Sequence, residues 1–265
     1  MKNGKKAILV VSFGTSHAGT RRKTIDAIEQ TIQGAFPDQK VYRAWTSKMI
    51  IRKLLTQDEI VVDTVEQAVV RMKNDGITDM IVQPTHVMDG MENERMKEAI
   101  APFADQFDII RFGAPLLTGQ TNFRKLVDGI MDEFSDTMDM SRDTALVWMG
   151  HGTSHEANAI YLRLDEEFHQ RGYDNVFVGT MEGGVPIEGL KRRVKASGCR
   201  RVLLTPFLIV AGAHALRDMA GDGENSWKSQ FEAEGLEVEC LMKGLGEYDV
   251  IRRMFVDHVE MAACR

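Results

Sequence analysis

Residues 145–153 read Ala-Leu-Val-Trp-Met-Gly-His-Gly-Thr, an apolar run that ends at a glycine turn with a histidine in it. The first half of the chain contains a similar stretch at residues 7–15, Ala-Ile-Leu-Val-Val-Ser-Phe-Gly-Thr. Short, unbroken apolar runs bounded by turn residues are typical of strands buried on both faces of a parallel sheet. Each stretch therefore predicts a buried strand that opens one half of the chain.

Further apolar runs alternate with helical patterns along both halves. Strands are predicted at residues 7–13, 40–45, 80–84, 108–112, 145–149, 176–180, 201–206 and 237–242. Strands that alternate with helices imply right-handed crossovers and parallel sheets. The sequence thus predicts an α/β fold of two similar domains, each with a central parallel sheet flanked by helices, facing each other across an active-site cleft.

Two local matches indicate that the second half repeats the first. Residues 13–17, Phe-Gly-Thr-Ser-His, match residues 151–155, His-Gly-Thr-Ser-His. Residues 83–90 and 205–212 share a proline and a glycine at the same spacing. The two matches lie farther apart in the first half, which predicts an extra segment there around residues 46–62.

The boundary between the halves is predicted from a polar stretch. Serine, threonine and aspartate cluster at residues 135–143, a composition typical of linkers between domains. The predicted domains are residues 1–136 and residues 137–265. An alternative left open is that the last helix of the second domain packs on the first domain.

Composition and charge exclude several classes of function. The 265 residues are 43% apolar and 27% charged, with a formal net charge of −6. Both signs are interleaved, without the basic stripe of a nucleic-acid-binding protein. No apolar run reaches the length of about 20 residues that spans a membrane, and the first residues fit a strand better than a signal peptide. Three widely spaced cysteines suit a reducing compartment. These features predict a cytoplasmic protein that binds neither nucleic acid nor membranes.

Three side chains that could bind a metal follow strands of the predicted second sheet. They are His151, Glu182 and His214. Ligands of open parallel sheets bind beyond the carboxyl ends of the strands, where these residues would converge. Two nitrogen ligands and one oxygen ligand can hold a borderline divalent ion and leave positions open for exchange. We predict that all three are catalytic residues and metal ligands, although each alone is equally well explained as a capping or hydrogen-bonding side chain.

The glycine turn of the first half is a candidate substrate contact. Backbone N–H groups and hydroxyls of Ser12, Phe13, Gly14 and Thr15 precede a helix and could bind a carboxylate. Arg21, in that helix, could add a charge-assisted hydrogen bond, or it could be solvated. The turn lacks the G-x-G-x-x-G and Walker lysine patterns, which argues against a nucleotide.

Two further residues of the first half are predicted to contact substrate. His86 follows a predicted strand end, where loop hydrogen bonding is an equally good explanation. Glu92 aligns with His214 in the internal repeat, so we expect it to face the site from the other domain.

Motifs in a fixed order occupy nearly the whole chain. They are residues 11–16 (Val-Ser-Phe-Gly-Thr-Ser), 46–54, 81–86, 149–153 (Met-Gly-His-Gly-Thr), 178–183, 211–215, 218–222 and 226–228. Together they closely resemble the anaerobic sirohydrochlorin cobaltochelatase family of the cobalamin pathway. Thr85 and the loop at residues 89–92 depart from the family pattern, which weakens the transfer of substrate contacts in the first half.

The resemblance implies a chelatase fold of two related α/β domains and a specific reaction. It implies that His151, Glu182 and His214 bind Co²⁺, which is inserted into sirohydrochlorin or precorrin-2 without ATP. Insertion removes two pyrrole N–H protons, and a neutral histidine can accept a proton or bind the ion. We expect His151 to do both, His214 to hold and deliver the ion, and Glu182 to balance charge.

Other functions remain alternatives at this point. The same fold could insert iron into sirohydrochlorin or protoporphyrin, because first-row ions share such ligands. A non-catalytic metal or haem carrier would bind without turnover, and a small-ligand-binding protein would use the histidines only as hydrogen-bonding groups. The expected partners are a small-molecule tetrapyrrole and a divalent metal, with no nucleotide or organic cofactor, and a homo-oligomer is left open.

Overall fold

A computed structural model describes residues 4–137 and 143–264. The chain divides into two compact units. The first unit contains the residues up to Thr118 together with those from Ile251 onward, and the second unit is Gly119–Val250. The predicted boundary between residues 136 and 137 lies at the end of a helix of the second unit, Gly119–Thr137. The division of the chain into two independently folding domains at that boundary stays a prediction.

The first unit is built on a four-stranded parallel sheet with the order β2-β1-β3-β4. Its strands are β1 (Lys6–Ser12), β2 (Lys40–Trp45), β3 (Asp79–Pro84) and β4 (Ile109–Phe112). Its helices are α1 (Ala18–Lys23), α2 (Ile25–Ala35), α3 (Lys48–Asp58), α4 (Val65–Asn74) and α5 (Met91–Ile100). Every residue of β3 is buried, as expected for a strand covered on both faces.

The second unit repeats this architecture with the order β6-β5-β7-β8, again all parallel. Its strands are β5 (Thr144–Gly152), β6 (Val176–Glu182), β7 (Arg201–Pro206) and β8 (Glu237–Cys240). Its helices are α6 (Gly119–Thr137), α7 (Ala159–Gln170), α8 (Ile187–Ala196) and α9 (Trp227–Ala233). The closing helix, α10 (Asp249–Ala263), belongs to the first unit from Ile251 onward.

The strand order places a topological switch point in each sheet. After β5 the chain adds β6 on one side and then β7 on the other side. The loops that leave β5 and β7 therefore diverge, and ligands of open parallel sheets bind at such a point, beyond the carboxyl ends of the strands. β1 and β3 form the same arrangement in the first unit.

The predicted fold class is confirmed, because both sheets are parallel and helices connect their strands. The extra segment predicted around residues 46–62 is α3, which has no counterpart between β6 and α8. Ser47 caps α3 by accepting a hydrogen bond from the backbone N–H of Ile50. Within residues 4–137 and 143–264, no helix is both long and apolar enough to cross a membrane.

Candidate active site

Two histidines meet at the carboxyl edge of the second sheet. His151 is the penultimate residue of β5, and His214 precedes a π-helical turn, Ala215–Met219, which follows β7. Their ring centroids are 4.8 Å apart and their planes are nearly perpendicular, at 89°. The pair lies at the switch point between β5 and β7, so the structure brings together two of the three predicted metal ligands.

Hydrogen bonds determine which nitrogen of each ring is available. Nδ1 of His151 lies 3.0 Å from the carbonyl oxygen of Gly152, and Nδ1 of His214 lies 2.7 Å from Oδ2 of Asp218. A carbonyl or carboxylate oxygen only accepts, so each Nδ1 carries the hydrogen. Hydrogen bonds from Arg217, and a smaller one from His214, lower the pKa of Asp218. In the neutral form of each ring, Nε2 is then the nitrogen with the lone pair that can bind a metal ion.

The glycines on either side of His151 allow close packing at the end of β5. A Cβ on Gly150 would lie 2.2 Å from the ring of Tyr161, and a Cβ on Gly152 would lie 1.7 Å from the carbonyl oxygen of Glu182. Gly152 also has a φ of +78°, a conformation that favours glycine. Gly152 thus lets β5 and β6 approach each other where His151 leaves the sheet, and Gly150 makes room for the Tyr161 ring of α7.

Glu182 ends β6 and lies beside Gly152 in the register of the two strands. Its loop is closed by a hydrogen bond of 2.9 Å from the N–H of Thr180 to the carbonyl of Val185. The Glu182 residue is exposed. Among the described residues, no three His, Cys, Asp or Glu side chains are grouped closely enough to hold a metal ion. Glu182 therefore lies on the neighbouring strand without completing a three-ligand group in this conformation.

A buried tyrosine lies beneath the histidine strand. The Tyr161 hydroxyl is 3.5 Å from the backbone N–H of Gly152. Burial raises the pKa of Tyr161 to about 12, against smaller opposing effects of hydrogen bonds with the backbone of Gly152 and His151. The hydroxyl is therefore neutral at physiological pH and acts as a hydrogen-bonding support of the strand end rather than as a base.

The glycine turn of the first unit is held in place by its neighbours. The Thr85 hydroxyl donates to the Ser12 hydroxyl at 2.9 Å, so the unexpected polar residue at position 85 has a local partner. Gly14 has a φ of +103°, and a Cβ there would lie 2.5 Å from the Trp45 ring. Thr15 accepts a hydrogen bond from the N–H of His17, 3.2 Å away.

The remaining substrate-contact candidates of the first unit differ in availability. Phe13 is 48% exposed, which leaves its ring accessible. Arg21 is mostly buried, lies 3.9 Å from Asp26, and has an Nη1 atom with no hydrogen-bond partner. Glu92 lies in the first turn of α5 and pairs with Arg95 at 3.0 Å. Phe13 is therefore accessible, whereas Arg21 and Glu92 already have charged neighbours.

His86 is buried without hydrogen bonds to either ring nitrogen. Burial lowers its pKa to about 4, and the nearby Glu92 and Asn93 oppose this shift only in part. An imidazole with this pKa is neutral at pH 7, so it can accept a hydrogen bond but is a poor proton acceptor.

The burial of His86 predicts a pH-dependent loss of stability. The unfolded chain binds a proton near pH 6.5 and the folded chain only near pH 4, so acid favours the unfolded state across this interval. Between pH 7 and pH 5 this linkage removes about 2 kcal/mol from the free energy of unfolding. Urea unfolding of the parent and of His86→Gln at both pH values measures the difference.

The exposed His17 provides the matched control for this measurement. The stability of His17→Gln should depend on pH as that of the parent does, whereas His86→Gln should lose the part of this dependence that comes from His86. If the free energy of unfolding changes equally with pH in the parent and in His86→Gln, the assignment of this pH dependence to His86 is contradicted.

Sequence reasoning did not identify Asp218 as part of the site. The signal available was its position four residues after His214, the spacing that places two side chains on one face of a helix. Tyr161 gave no signal beyond an aromatic residue on the apolar face of a helix.

The chain matches known proteins along nearly its whole length. The family model described as cobalt chelatase (CbiK) matches residues 6–264. A sirohydrochlorin cobaltochelatase of Salmonella typhimurium is 36% identical over 258 residues, which cover 97% of this chain and 96% of that protein. The sirohydrochlorin cobaltochelatase CbiKC of Nitratidesulfovibrio vulgaris is 31% identical over 262 residues, which cover 97% of this chain and 90% of that protein.

A solved structure supports the fold independently. SirB from Bacillus subtilis with Fe³⁺ has a TM-score of 0.70 to this chain, at 13% identity, and the match covers 98% of this chain and 96% of that chain. At this identity the likeness concerns the fold alone. The family model and the relatives confirm the resemblance predicted from the ordered motifs, and the chain belongs to the cobalt chelatase (CbiK) family.

Proposed function

We propose that the protein inserts Co²⁺ into sirohydrochlorin, or into its precursor precorrin-2, in the anaerobic branch of cobalamin biosynthesis. The observation that carries the proposal is the His151–His214 pair at the switch point of the second sheet, in a chain of the cobalt chelatase family. Two imidazole nitrogens suit a borderline divalent ion and leave coordination positions for the ring nitrogens of a macrocycle.

The reaction exchanges one set of ligands for another and releases two protons. Co²⁺ leaves the Nε2 atoms and water and binds the four ring nitrogens, while the two pyrrole N–H groups lose their protons. We propose that His214 delivers the ion, that His151 accepts one of the two protons once its Nε2 atom is free, and that the other proton passes to water. Glu182, on the adjacent strand, would supply the negative charge that balances a divalent ion.

We further propose that the first unit contributes substrate contacts. Sirohydrochlorin carries several carboxylates, which the backbone N–H groups of the turn at Ser12, Phe13, Gly14 and Thr15 can bind at the start of α1. The exposed Phe13 ring suits the apolar face of a macrocycle. A further set of side chains is proposed to contact the rim of the substrate or the ring nitrogens: Arg21, His86 and Glu92.

The proposed reaction needs neither a nucleotide nor an organic cofactor, and we propose the cytoplasm as its location. Thermodynamically, insertion is driven by the stronger binding of the ion to four convergent nitrogens. Omission of ATP from the assay tests the first part of this proposal directly.

An absorbance assay tests the proposed function. Metal-free protein is mixed under anaerobic conditions with excess sirohydrochlorin and Co²⁺, and the spectrum of the metallated macrocycle is followed. We expect many turnovers per protein molecule without ATP, at a rate well above that of the uncatalysed reaction. Product limited to one equivalent per protein would instead identify a carrier, and efficient insertion of Fe²⁺ but not Co²⁺ would identify a ferrochelatase.

A further inference from the structure

The two histidines of the site differ in the partner that holds Nδ1. The partner of His151 is the neutral carbonyl of Gly152, whereas the partner of His214 is the carboxylate of Asp218. Histidines that bind metals commonly donate their second N–H to a carboxylate or a carbonyl, which fixes the ring and makes the ligating nitrogen more basic. A carboxylate does this more strongly than a carbonyl because its hydrogen bond is charge-assisted.

Asp218 is itself held in place by Arg217, the residue before it. Nε of Arg217 donates to Oδ1 at 2.9 Å, and Nη2 of Arg217 donates to Oδ2 at 3.2 Å. Both carboxylate oxygens are therefore engaged while Oδ2 also accepts the hydrogen bond from His214. Arg217 points its charge at the carboxylate from the solvent side, since its own side chain is 73% exposed.

The backbone between His214 and Ala220, which carries Asp218, forms a π-helical turn. The N–H of Ala220 donates to the carbonyl of Ala215 at 3.0 Å, which closes the π-helical turn between His214 and Ala220. Such turns are rare and frequently occur at functional sites. A Cβ on Gly221 would lie 2.4 Å from the carbonyl of Arg217, so a glycine lets the chain close over the turn.

The preceding loop is anchored as well. The N–H of Leu245 donates to the carbonyl of Leu208 at 2.8 Å, and the N–H of Gly246 donates to that of Ile209 at 3.1 Å. A Cβ on Gly244 would lie 2.7 Å from the carbonyl of Ile209. The loop that carries His214 is therefore fixed to a neighbouring segment of the same unit, and the ring of His214 is held on it by the hydrogen bond to Asp218 and by contact with His151.

We propose that Asp218 is a positioning residue that holds His214 as the Nδ1–H tautomer and directs its Nε2 atom to Co²⁺, making His214 the stronger ligand of the pair. This inference rests on the proposed function for its consequence in catalysis, but the tautomer of His214 is a property of the metal-free protein. Asp218 contacts neither the ion nor the macrocycle in this role.

The test combines one spectroscopic and one binding measurement. In metal-free protein labelled with ¹⁵N-histidine, the chemical shifts of the ring nitrogens report the tautomer of His214, identified by the signal lost in His214→Ala. Titration of Co²⁺ alone, followed by its visible absorption, gives the affinity. We expect the Nδ1–H form in the parent and its loss in Asp218→Ala, with about a 10- to 100-fold weaker affinity for Co²⁺.

Two further variants separate positioning from a structural role. Asp218→Asn retains an oxygen that accepts the hydrogen bond, so it should keep the Nδ1–H form and lose less affinity than Asp218→Ala. Asp222→Ala removes a carboxylate that is 94% exposed and pairs with Lys228, and it should leave tautomer and affinity unchanged. In the turnover assay, Asp218→Ala should raise KM for Co²⁺ more than it lowers kcat.

Two results would overturn the proposal. One is an Nε2–H tautomer of His214 in the parent protein. The other is an Asp218→Ala variant with parental tautomer and parental affinity for Co²⁺, or an Asp218→Asn variant as impaired as Asp218→Ala. A parent that shows the Nδ1–H form and binds Co²⁺ but produces no metallated sirohydrochlorin would contradict the proposed function and leave the positioning role intact.

Discussion

His214→Ala is expected to lower kcat/KM for Co²⁺ insertion by at least about 100-fold, because it removes the proposed metal ligand whose ring is held by the carboxylate of Asp218. His151→Ala should also be severely impaired, with a smaller loss of Co²⁺ affinity, since its Nδ1 partner is a neutral carbonyl. The double variant should be little worse than His214→Ala alone. Residues that act on one ion give non-additive effects, because loss of the first ligand already disables the coordination.

The fold should survive these substitutions. The side chain of His214 is 44% exposed, so its truncation leaves no large buried cavity. His169→Ala is the matched control, because His169 is a partly exposed histidine of the same unit, at the end of α7. Circular dichroism and thermal unfolding check folding, and absorbance measures turnover. Near-parental turnover of His214→Ala, or strictly additive losses in the double variant, would contradict a shared metal site.

The strands and the parallel sheets could be predicted because the relevant signals are local. The run at residues 145–149 is apolar at every position, and β5 is buried from Thr144 to Gly150. Burial on both faces leaves this pattern in the sequence regardless of which strands are neighbours. The internal repeat then indicated an extra segment in the first half, which is α3.

The irregular parts of the site could not be predicted in the same way. The π-helical turn after His214 has Gly221 packed against the carbonyl of Arg217, and the loop before His214 is anchored by residues 244–246, which are distant in sequence. The His214–Asp218 hydrogen bond depends on that turn. Its spacing of four residues is common in any helix, so the sequence alone carries little specific information about it.

The candidate ligands show what the positions of strand ends can and cannot predict. These positions identified residues that leave neighbouring strands at one edge of the sheet, and His151 and His214 do meet there. Strand order fixes the positions of Cα atoms but not the directions of side chains. Glu182 pairs with Gly152 in the register of β5 and β6, and it is exposed. Among the described residues, it forms no three-ligand group with the two histidines. Its assignment as a ligand stays a prediction.

Gly152→Ala is expected to destabilise the protein by roughly 2–4 kcal/mol, since it combines backbone strain with overpacking. The φ of +78° is unfavourable for alanine, and the new Cβ would lie 1.7 Å from the carbonyl oxygen of Glu182. To relieve the clash, the ends of β5 and β6 must separate, which displaces His151. Activity should therefore fall even at temperatures where the variant remains folded.

Gly172→Ala is the matched control for the backbone term in this prediction. Gly172 has a φ of +83° in the same unit, but a Cβ added there would have no atom within 4 Å, so alanine meets only the conformational penalty of about 1 kcal/mol. Urea unfolding should show a larger loss for Gly152→Ala than for Gly172→Ala, and only Gly152→Ala should lose turnover. The stability that Gly152→Ala loses beyond the loss in Gly172→Ala measures the cost of separating β5 and β6 beside His151. If the two variants lose equal stability and both retain parental turnover, the approach of the strands at Gly152 has no role in positioning His151.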